Sequence, residues 1–244
     1  MATKTRKTKT PRIGFHAPIK NGLHDALVIA KETGCDTVQL FSRNPRGWMA
    51  KPLTAESIDL FRKTRRKLKL DPVVIHCNYL VNLAASDSAF LEKSRMSFRE
   101  EVERALLLGV DYLVVHPGSS RGLLEAEGIA LCAKSLQIAC KGLKLEKFRI
   151  LLENTAGQGE CIGHRFEHLR AIMDACPKLP LGVCLDTAHA FTAGYDIRDE
   201  EGLEVTIEWL HRTVGSKNVR AVHFNDSRAP YNSRVDRHWH IGEG

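Results

Sequence analysis

Short apolar runs alternate with longer amphipathic stretches along most of the chain. The apolar runs are four to six residues long and cover Ile13–His16, Thr37–Phe41, Pro72–His76, Tyr112–His116, Phe148–Glu153, Leu181–Asp186 and Val219–His223. The stretches with helical periodicity cover Gly22–Thr33, Thr54–Leu70, Ser86–Leu108, Leu123–Gly142, Arg165–Cys176 and Glu200–Thr213. Continuous apolar runs are typical of strands buried on both faces, and their alternation with helices predicts βαβ units and a parallel sheet.

The seven predicted strands follow one another without a linker or an internal repeat. This arrangement favours a single α/β barrel over two domains. We therefore predict one domain over residues 13–244, preceded by a disordered basic tail over residues 1–12. An open doubly wound sheet is the alternative, but no glycine-rich fingerprint follows the first strand, as a dinucleotide-binding fold requires.

Charge and cysteine content narrow the class of protein. The chain has 36 Lys and Arg against 29 Asp and Glu, and five of the basic residues lie in the tail. A net charge of +7 favours a polyanionic partner such as nucleic acid. Seven cysteines without a CxxC pair argue against a disulfide framework and a zinc ribbon. No run approaches the ~18 apolar residues of a membrane span, and no secretory signal is evident.

The residues at the ends of the predicted strands are candidates for metal binding. Five successive strands finish with a residue that can bind a metal ion: His76, His116, Glu153, Asp186 and His223. In a barrel these strand ends converge on one face, where active sites are built. Asp186 and His189, three residues apart, and Asp236 and His238, two apart, have spacings that place each pair on one side of the chain.

Imidazoles and carboxylates without cysteine are the ligands of a catalytic zinc or manganese site. Helix capping by Asp186-Thr187 and Asn154-Thr155 is the alternative interpretation, but histidine caps helices poorly. We therefore predict a multinuclear metal site. Two close divalent ions can stabilise both oxygens of a phosphoryl displacement, and the basic charge balance points to nucleic acid as the substrate.

Basic and aromatic residues follow the second and third strands, near the predicted site. They are Arg43, Arg46 and Trp48 after the second strand and Tyr79 and Leu80 after the third. Such residues can contact phosphates and insert between bases. Packing within the loops is the alternative for Trp48 and Tyr79.

The sequence resembles endonuclease IV, the zinc-dependent apurinic/apyrimidinic (AP) endonuclease family 2. The likeness runs from about Ile13 to Gly244, and its most specific motifs are Glu153-Asn-Thr-Ala-Gly-Gln158 and Arg234-Val-Asp-Arg-His238. Further matching segments are Gly14-Phe-His16, Phe41-Ser-Arg-Asn-Pro-Arg-Gly-Trp48, His76-Cys-Asn-Tyr-Leu-Val-Asn-Leu83, Leu91-Glu-Lys-Ser-Arg95, His116-Pro-Gly-Ser119, Asp186-Thr-Ala-His-Ala-Phe191 and His223-Phe-Asn-Asp226.

The resemblance implies a TIM (β/α)8 barrel with three zinc ions that cleaves DNA 5′ to abasic sites and removes 3′ blocking groups. It implies that His76 and His116 bind the first ion and that Glu153 bridges to the second. Asp186 and His223 would hold the second ion, and His189, Asp236 and His238 the third. Glu153, Asp186 and His223 are the candidate catalytic residues. His16, Arg46, Tyr79, Leu80 and Arg237 are the candidate DNA contacts.

The family continues beyond His240-Ile-Gly-Glu-Gly244 into a last strand whose glutamate is a ninth ligand. We therefore expect the last strand and helix to be missing here, the second ion to be held weakly, and cleavage to be weak or absent. A metal-dependent sugar isomerase of the xylose-isomerase-like superfamily and a damage-binding protein without cleavage are the alternatives. A monomer is expected, with manganese as an alternative metal and a cytoplasmic, nucleoid-associated or nuclear location.

Overall fold

Six parallel strands form the central sheet. The structure is a computed structural model that describes residues 10–244, so residues 1–9 of the predicted tail lie outside the described residues. The strands pair in chain order and are β1 (Val38–Phe41), β2 (Val73–His76), β3 (Tyr112–Val115), β4 (Arg149–Glu153), β5 (Leu181–Asp186) and β6 (Val219–His223). The register places Phe41 beside His76 and Asp186 beside His223. The carboxyl ends of neighbouring strands therefore lie at one edge.

Seven α-helices accompany the sheet in the described part of the chain. They are α1 (Leu23–Glu32), α2 (Ala55–Leu68), α3 (Ser88–Leu108), α4 (Glu125–Ala139), α5 (Phe166–Ala175), α6 (Thr187–Ala193) and α7 (Glu200–Thr213). The ends of the six predicted helices agree with the structure to within three residues. Local chemistry explains several starts, since the side chains of Thr54, Asp87 and Asp199 accept backbone hydrogen bonds from the first turns of α2, α3 and α7.

The predicted first strand, Ile13–His16, is wrong as a regular strand. It runs beside β1, where Gln39 N donates to Phe15 O at 3.1 Å, but only an isolated parallel bridge between His16 and Gln39 forms. Pro18 lacks the N–H that would continue such pairing. The other six predicted strands agree with the structure to within one residue.

The sheet curls into a TIM-barrel-like fold. β1 and β6 lie at opposite ends of the strand order, yet Nε2 of His223 on β6 lies 2.8 Å from Oε1 of Gln39 on β1. Inside the curl, Val74, Val114, Leu151 and Cys184 form a small buried cluster. A much larger apolar cluster fills the space between the outer face of the sheet and the helices. Within residues 10–244, every helix is too short or too polar to cross a membrane.

Two short elements that the hydrophobic pattern did not predict complete the site. Helix α6 begins directly after Asp186, whose Oδ1 accepts from His189 N at 2.8 Å. The strands β7 (Asp226–Ser227) and β8 (His238–Trp239), of two residues each, pair antiparallel and form a hairpin. The cap positions His189 and the hairpin positions His238, so both residues face the strand ends.

Candidate metal centre

Glu153 lies at the centre of the residues that end the strands. The Oε2 atom of this carboxylate lies 3.1 Å from His76 Nε2 and 3.2 Å from His116 Nε2. The Oε1 atom lies 2.9 Å from His223 Nδ1. Each oxygen therefore faces a different group of imidazoles, as expected of a carboxylate that bridges two cations.

Asp186, His189, Asp236 and His238 form the other side of the same cavity. His189 Nε2 lies 3.2 Å from both Asp236 Oδ2 and His238 Nε2. Asp186 Oδ2 lies 3.7 Å from His238 Nε2 and 3.9 Å from His223 Nδ1. Asp186 thus joins this group to the group around Glu153, and all eight predicted ligands meet in one place.

The imidazoles are oriented by hydrogen bonds on their outer nitrogens. His76 Nδ1 lies 2.7 Å from Cys77 O, and His189 Nδ1 lies 2.9 Å from Asn154 O. A ring nitrogen facing a carbonyl oxygen must carry the proton, so the Nε2 lone pair of each neutral ring points into the cavity. His223 is fixed the other way round, because its Nε2 donates to Gln39 and leaves Nδ1 facing Glu153. These are the partners that orient histidine ligands in metal sites.

The cavity requires positive charge. Glu153 is 1% exposed and Asp186 is fully buried, and two buried carboxylates are costly unless cations accompany them. Burial would raise the pKa of Glu153, but the positive charges of His116 and His223 hold this pKa well below its usual range. Burial opposes protonation of His189, yet Asp236, Asp186 and Glu153 raise its pKa to about 9. Metal ions would supply the same charge with neutral imidazoles, so the donor set fits divalent cations.

The ligand atoms fall into three sets that could hold a metal ion, and within each set all atoms lie within 4.8 Å of one another. The first two sets share Glu153: His76, His116 and Glu153; Glu153, Cys184 and His223; and Asp186, His189 and His238. Burial raises the pKa of the Cys184 thiol well above its usual value, so the sulfur stays protonated and is a poor ligand. Asp186 is the better partner for His223.

A further cluster, formed by Glu125, His164 and His168, lacks the required tautomer. Gly163 N donates to His168 Nδ1 at 3.1 Å, so the proton of the neutral ring sits on Nε2. This Nε2 lies 3.0 Å from Glu125 Oε1, although it is not aligned for a hydrogen bond. A protonated nitrogen cannot bind a metal ion, so this cluster is not a ligand set in the form that the structure shows.

The residues that orient the candidate ligands through hydrogen bonds were not predicted from the sequence. Gln39 accepts from His223 and also lies 3.1 Å from His16 Nδ1. Asn225 Nδ2 donates to Asp186 Oδ2 at 2.6 Å, and Asn154 Oδ1 accepts from Asp186 N at 2.7 Å. The signal available was position: Asn154 and Asn225 lie within two residues of predicted ligands, and Gln39 is a polar residue inside an apolar strand.

Replacing Gln39 with alanine should weaken metal binding without emptying the site. His223 would lose the acceptor that fixes its tautomer, and losses of this kind reduce metal affinity by about 10–100-fold. Competition with a chromophoric chelator would measure the change. Gln39→Glu keeps an acceptor and should retain more affinity than Gln39→Ala. Equal loss in both variants would contradict the orienting role.

One predicted phosphate contact is wrong. Arg43 is 5% exposed, and its Nε donates to Oε1 of the buried Glu101 at 2.8 Å. Its Nη1 also lies 2.7 Å from Glu100 Oε2. The guanidinium therefore holds the loop after β1 against α3 and does not face solvent.

The other predicted DNA contacts surround the mouth of the cavity. Arg46 is exposed, Tyr79 is 60% exposed, and Leu80 is half-buried. Tyr79 N donates to Pro45 O at 3.0 Å, which joins the two loops that carry these residues. The Tyr79 ring lies 5.3 Å from that of Phe41, edge to face, and 6.0 Å from that of His76.

His16 and Arg237 lie beside the same cavity. His16 is partly exposed, but its ring lies against the cavity, 6.2 Å from the ring of His76. Burial of its ring and the nearby His76 lower the pKa of His16 to about 4. Arg237 is exposed next to Asp236. Trp48 instead packs edge to face on Phe90, with centroids 5.5 Å apart, which favours the packing alternative.

Known proteins share this chain's sequence and fold. A family model described as the xylose isomerase-like TIM barrel matches residues 27–244. A probable endonuclease 4 of Chloroflexus aurantiacus is 43% identical over 96% of this chain and 82% of its own length. The corresponding protein of Solibacter usitatus is 45% identical over 96% of this chain and 81% of its own length. The crystal structure of endonuclease IV from Thermus thermophilus is 41% identical, with a TM-score of 0.85 over 96% of this chain and 83% of that one.

These likenesses extend over the segments that build the cavity, since residues 27–244 include every candidate ligand. They agree with the motifs around Glu153 and His238 and with the TIM-barrel-like sheet that gathers the ligands. The chain belongs to the endonuclease IV family of the xylose isomerase-like TIM barrels.

Proposed function

We propose that this protein is a DNA repair endonuclease that hydrolyses the phosphodiester 5′ to abasic sites and removes 3′ blocking groups. The observation that carries the proposal is the orientation of three imidazoles. His76, His189 and His223 each bond an oxygen through the outer ring nitrogen and present the inner one to a carboxylate of the cavity, Glu153 or Asp236. Family membership and the names of the relatives, which are endonucleases, support the reaction class.

Three zinc ions would share the eight ligands, with manganese as an alternative. The first would lie between His76, His116 and Glu153, the second between Glu153, Asp186 and His223, and the third between His189, Asp236 and His238. Such ions supply a water of lowered pKa and stabilise negative charge on the phosphate oxygens. The protein's own contribution is to fix the imidazole tautomers, and through Glu153 and Asp186 to hold neighbouring cations at close range.

The residues at the mouth of the cavity would recognise damaged duplex. Tyr79 and Leu80 are placed to enter the gap left by a missing base, while Arg46, Arg237 and His16 contact the backbone. Turning out a nucleotide that lacks a base costs least, because there is little stacking to lose. Abasic specificity would then follow from the DNA's own stability as much as from protein contacts.

Nicking of an abasic duplex by the chain, with and without chelator, tests the proposal. We expect cleavage on the 5′ side of the lesion that chelator removes and added zinc restores. Damage binding without cleavage would support the damage-binding alternative. Turnover of a ketose or aldose with no effect on DNA would support the sugar isomerase alternative.

Removing the Tyr79 ring should impair binding to abasic DNA selectively. Aromatic stacking on a base is worth about 1–3 kcal/mol, so Tyr79→Ala should weaken abasic binding by about 5–150-fold and intact-duplex binding much less. Tyr79→Phe keeps the ring and serves as the control. Fluorescence anisotropy with the two duplexes measures both affinities. Equal weakening on both would show that Tyr79 serves only to pack the loop.

A further inference from the structure

A basic groove lies at the end of the sheet opposite the metal centre. It has a volume of about 500 Å³ and is lined by the last turns of α2, the end of α3 and the residues before β2. Four of its lining residues are cations: Arg62, Arg65, Arg66 and Lys69. Because the groove borders the amino ends of the strands, a duplex bound at the metal centre cannot reach it.

Two of these cations have structural partners. Arg65 contacts Asp111 Oδ2 and Gly109 O, and its Nη2 lies 3.6 Å from Asp71 Oδ1. Arg62 Nη2 donates to Leu106 O at 3.3 Å. These contacts neutralise the nearby carboxylates and satisfy carbonyls at the end of α3. The charge of Arg65 is therefore largely neutralised by carboxylates of the fold itself.

The other cations are not explained by the fold. Among the ion pairs and side-chain hydrogen bonds of residues 10–244, none involves Arg66 or Lys69, and both side chains are exposed. Positive charge at the carbonyl end of α2 stabilises a helix by only ~0.3–1 kcal/mol for each residue. Arg12, at the start of the described chain, contacts Asp71, the carboxylate among the groove's lining residues, and so neutralises it.

We propose that this groove binds the phosphate backbone of a second nucleic-acid segment, independently of base sequence. The inference rests on the proposed function for its choice of polyanion, because a DNA-cleaving enzyme meets duplex at high local concentration. Exposed cations gathered on one surface bind phosphates with release of the counterions, and this supplies sequence-independent affinity. The segment held here lies outside the reach of the metal centre and serves to keep the protein on DNA.

The test compares two variants with the same net charge. The groove variant is Arg66→Gln and Lys69→Gln. The control variant is Lys134→Gln and Arg170→Gln, which removes two exposed cations from the flanks of α4 and α5. Affinity for an undamaged duplex is measured by anisotropy across a range of salt concentrations, and thermal melting confirms that both variants fold.

The groove variant should bind at least ~10-fold more weakly at low salt, with the salt slope reduced by about 0.9 for each phosphate that the protein no longer neutralises. The control should keep the wild-type slope. Nicking of a short abasic duplex should be unchanged in both variants. If the two variants have the same slope, or if the groove residues govern binding to phosphatidylglycerol vesicles but not to duplex, the proposal is overturned. Absence of nicking in all three proteins would instead count against the proposed function, because the binding comparison does not depend on cleavage.

Discussion

Glu153→Gln is expected to remove bound metal and abolish nicking while leaving the fold intact. Glutamine has nearly the same volume, so packing at this buried position is retained. It lacks the negative charge that would hold two cations together, and its amide would present hydrogens to the lone pairs of His76 and His116. Charge stabilisation by metal ions is worth several kcal/mol, so we expect at least a ~1,000-fold loss of nicking.

Metal content and thermal stability report on Glu153 independently of activity. Elemental analysis should show less metal per chain in Glu153→Gln than in the wild type. Because a ligand that binds only the native state raises its stability, chelator should lower the melting temperature of the wild type. The variant should respond much less, since it has less metal to lose.

Glu125→Gln is the matched control. Glu125 also contacts two histidines, but the His168 tautomer makes that cluster unsuitable for a metal ion. We expect unchanged metal content and unchanged nicking. A lower metal content in Glu125→Gln would show that the cluster binds an ion after all, and full metal content in Glu153→Gln would contradict the bridging assignment.

The gathering of the strand-end residues at one rim was predictable, because parallel pairing in chain order leaves few arrangements of the strands. Once five consecutive strands end in His, His, Glu, Asp and His, a curled parallel sheet must bring those side chains to one rim. Asp236 and His238 follow no strand of the sheet, and only their spacing and the family resemblance singled them out. The β7–β8 hairpin, whose two-residue strands are too short to leave a periodic pattern, is what places His238 at the rim.

Hydrogen-bond partners distant in sequence were not predictable from pattern. Nothing near Gln39 indicates that His223, on the last strand of the sheet, would donate to it, since this hydrogen bond exists only when the sheet curls. The prediction that Arg43 contacts phosphate was wrong for the same reason, because its partner is distant in sequence. A basic residue after a strand is typical of a phosphate-binding loop, but Glu101 lies on a helix that the sequence alone does not place against that loop. The ion pair between Arg43 and Glu101, which are far apart in sequence, therefore determines where the Arg43 side chain lies.

Glu101→Gln should cause a large loss of stability. Glu101 is 1% exposed and accepts from Ser42 Oγ at 2.7 Å, Arg43 Nε at 2.8 Å and Asn78 Nδ2 at 3.1 Å. Glutamine would place an NH2 group among hydrogen-bond donors and leave the buried Arg43 charge without its buried partner, with only the half-exposed Glu100 beside it. Breaking a buried pair costs about 3–5 kcal/mol, which corresponds to a fall in melting temperature of about 6–20 °C for a chain of this size.

The adjacent residue provides the control for burial. Glu100 pairs with the same guanidinium at 2.7 Å, but its side chain is 42% exposed. Water screens an exposed pair, so Glu100→Gln should cost less than about 1 kcal/mol. Comparable losses in the two variants would mean that burial of Glu101 is not what makes it important.

The Glu101 contacts also hold the two loops that carry the candidate DNA contacts. Ser42 and Arg43 precede Arg46 on one loop, and Asn78 precedes Tyr79 on the other, so one carboxylate fixes both relative to α3. At temperatures where Glu101→Gln remains folded, we therefore expect weaker binding to abasic duplex with unchanged metal content, because Glu101 contacts none of the eight candidate ligands. Glu153→Gln should show the opposite combination, with metal lost and the Tyr79 loop in place. Parallel measurement of metal content and abasic binding in both variants separates the metal centre from the recognition loops, and a loss of metal in Glu101→Gln would show that the two are mechanically coupled.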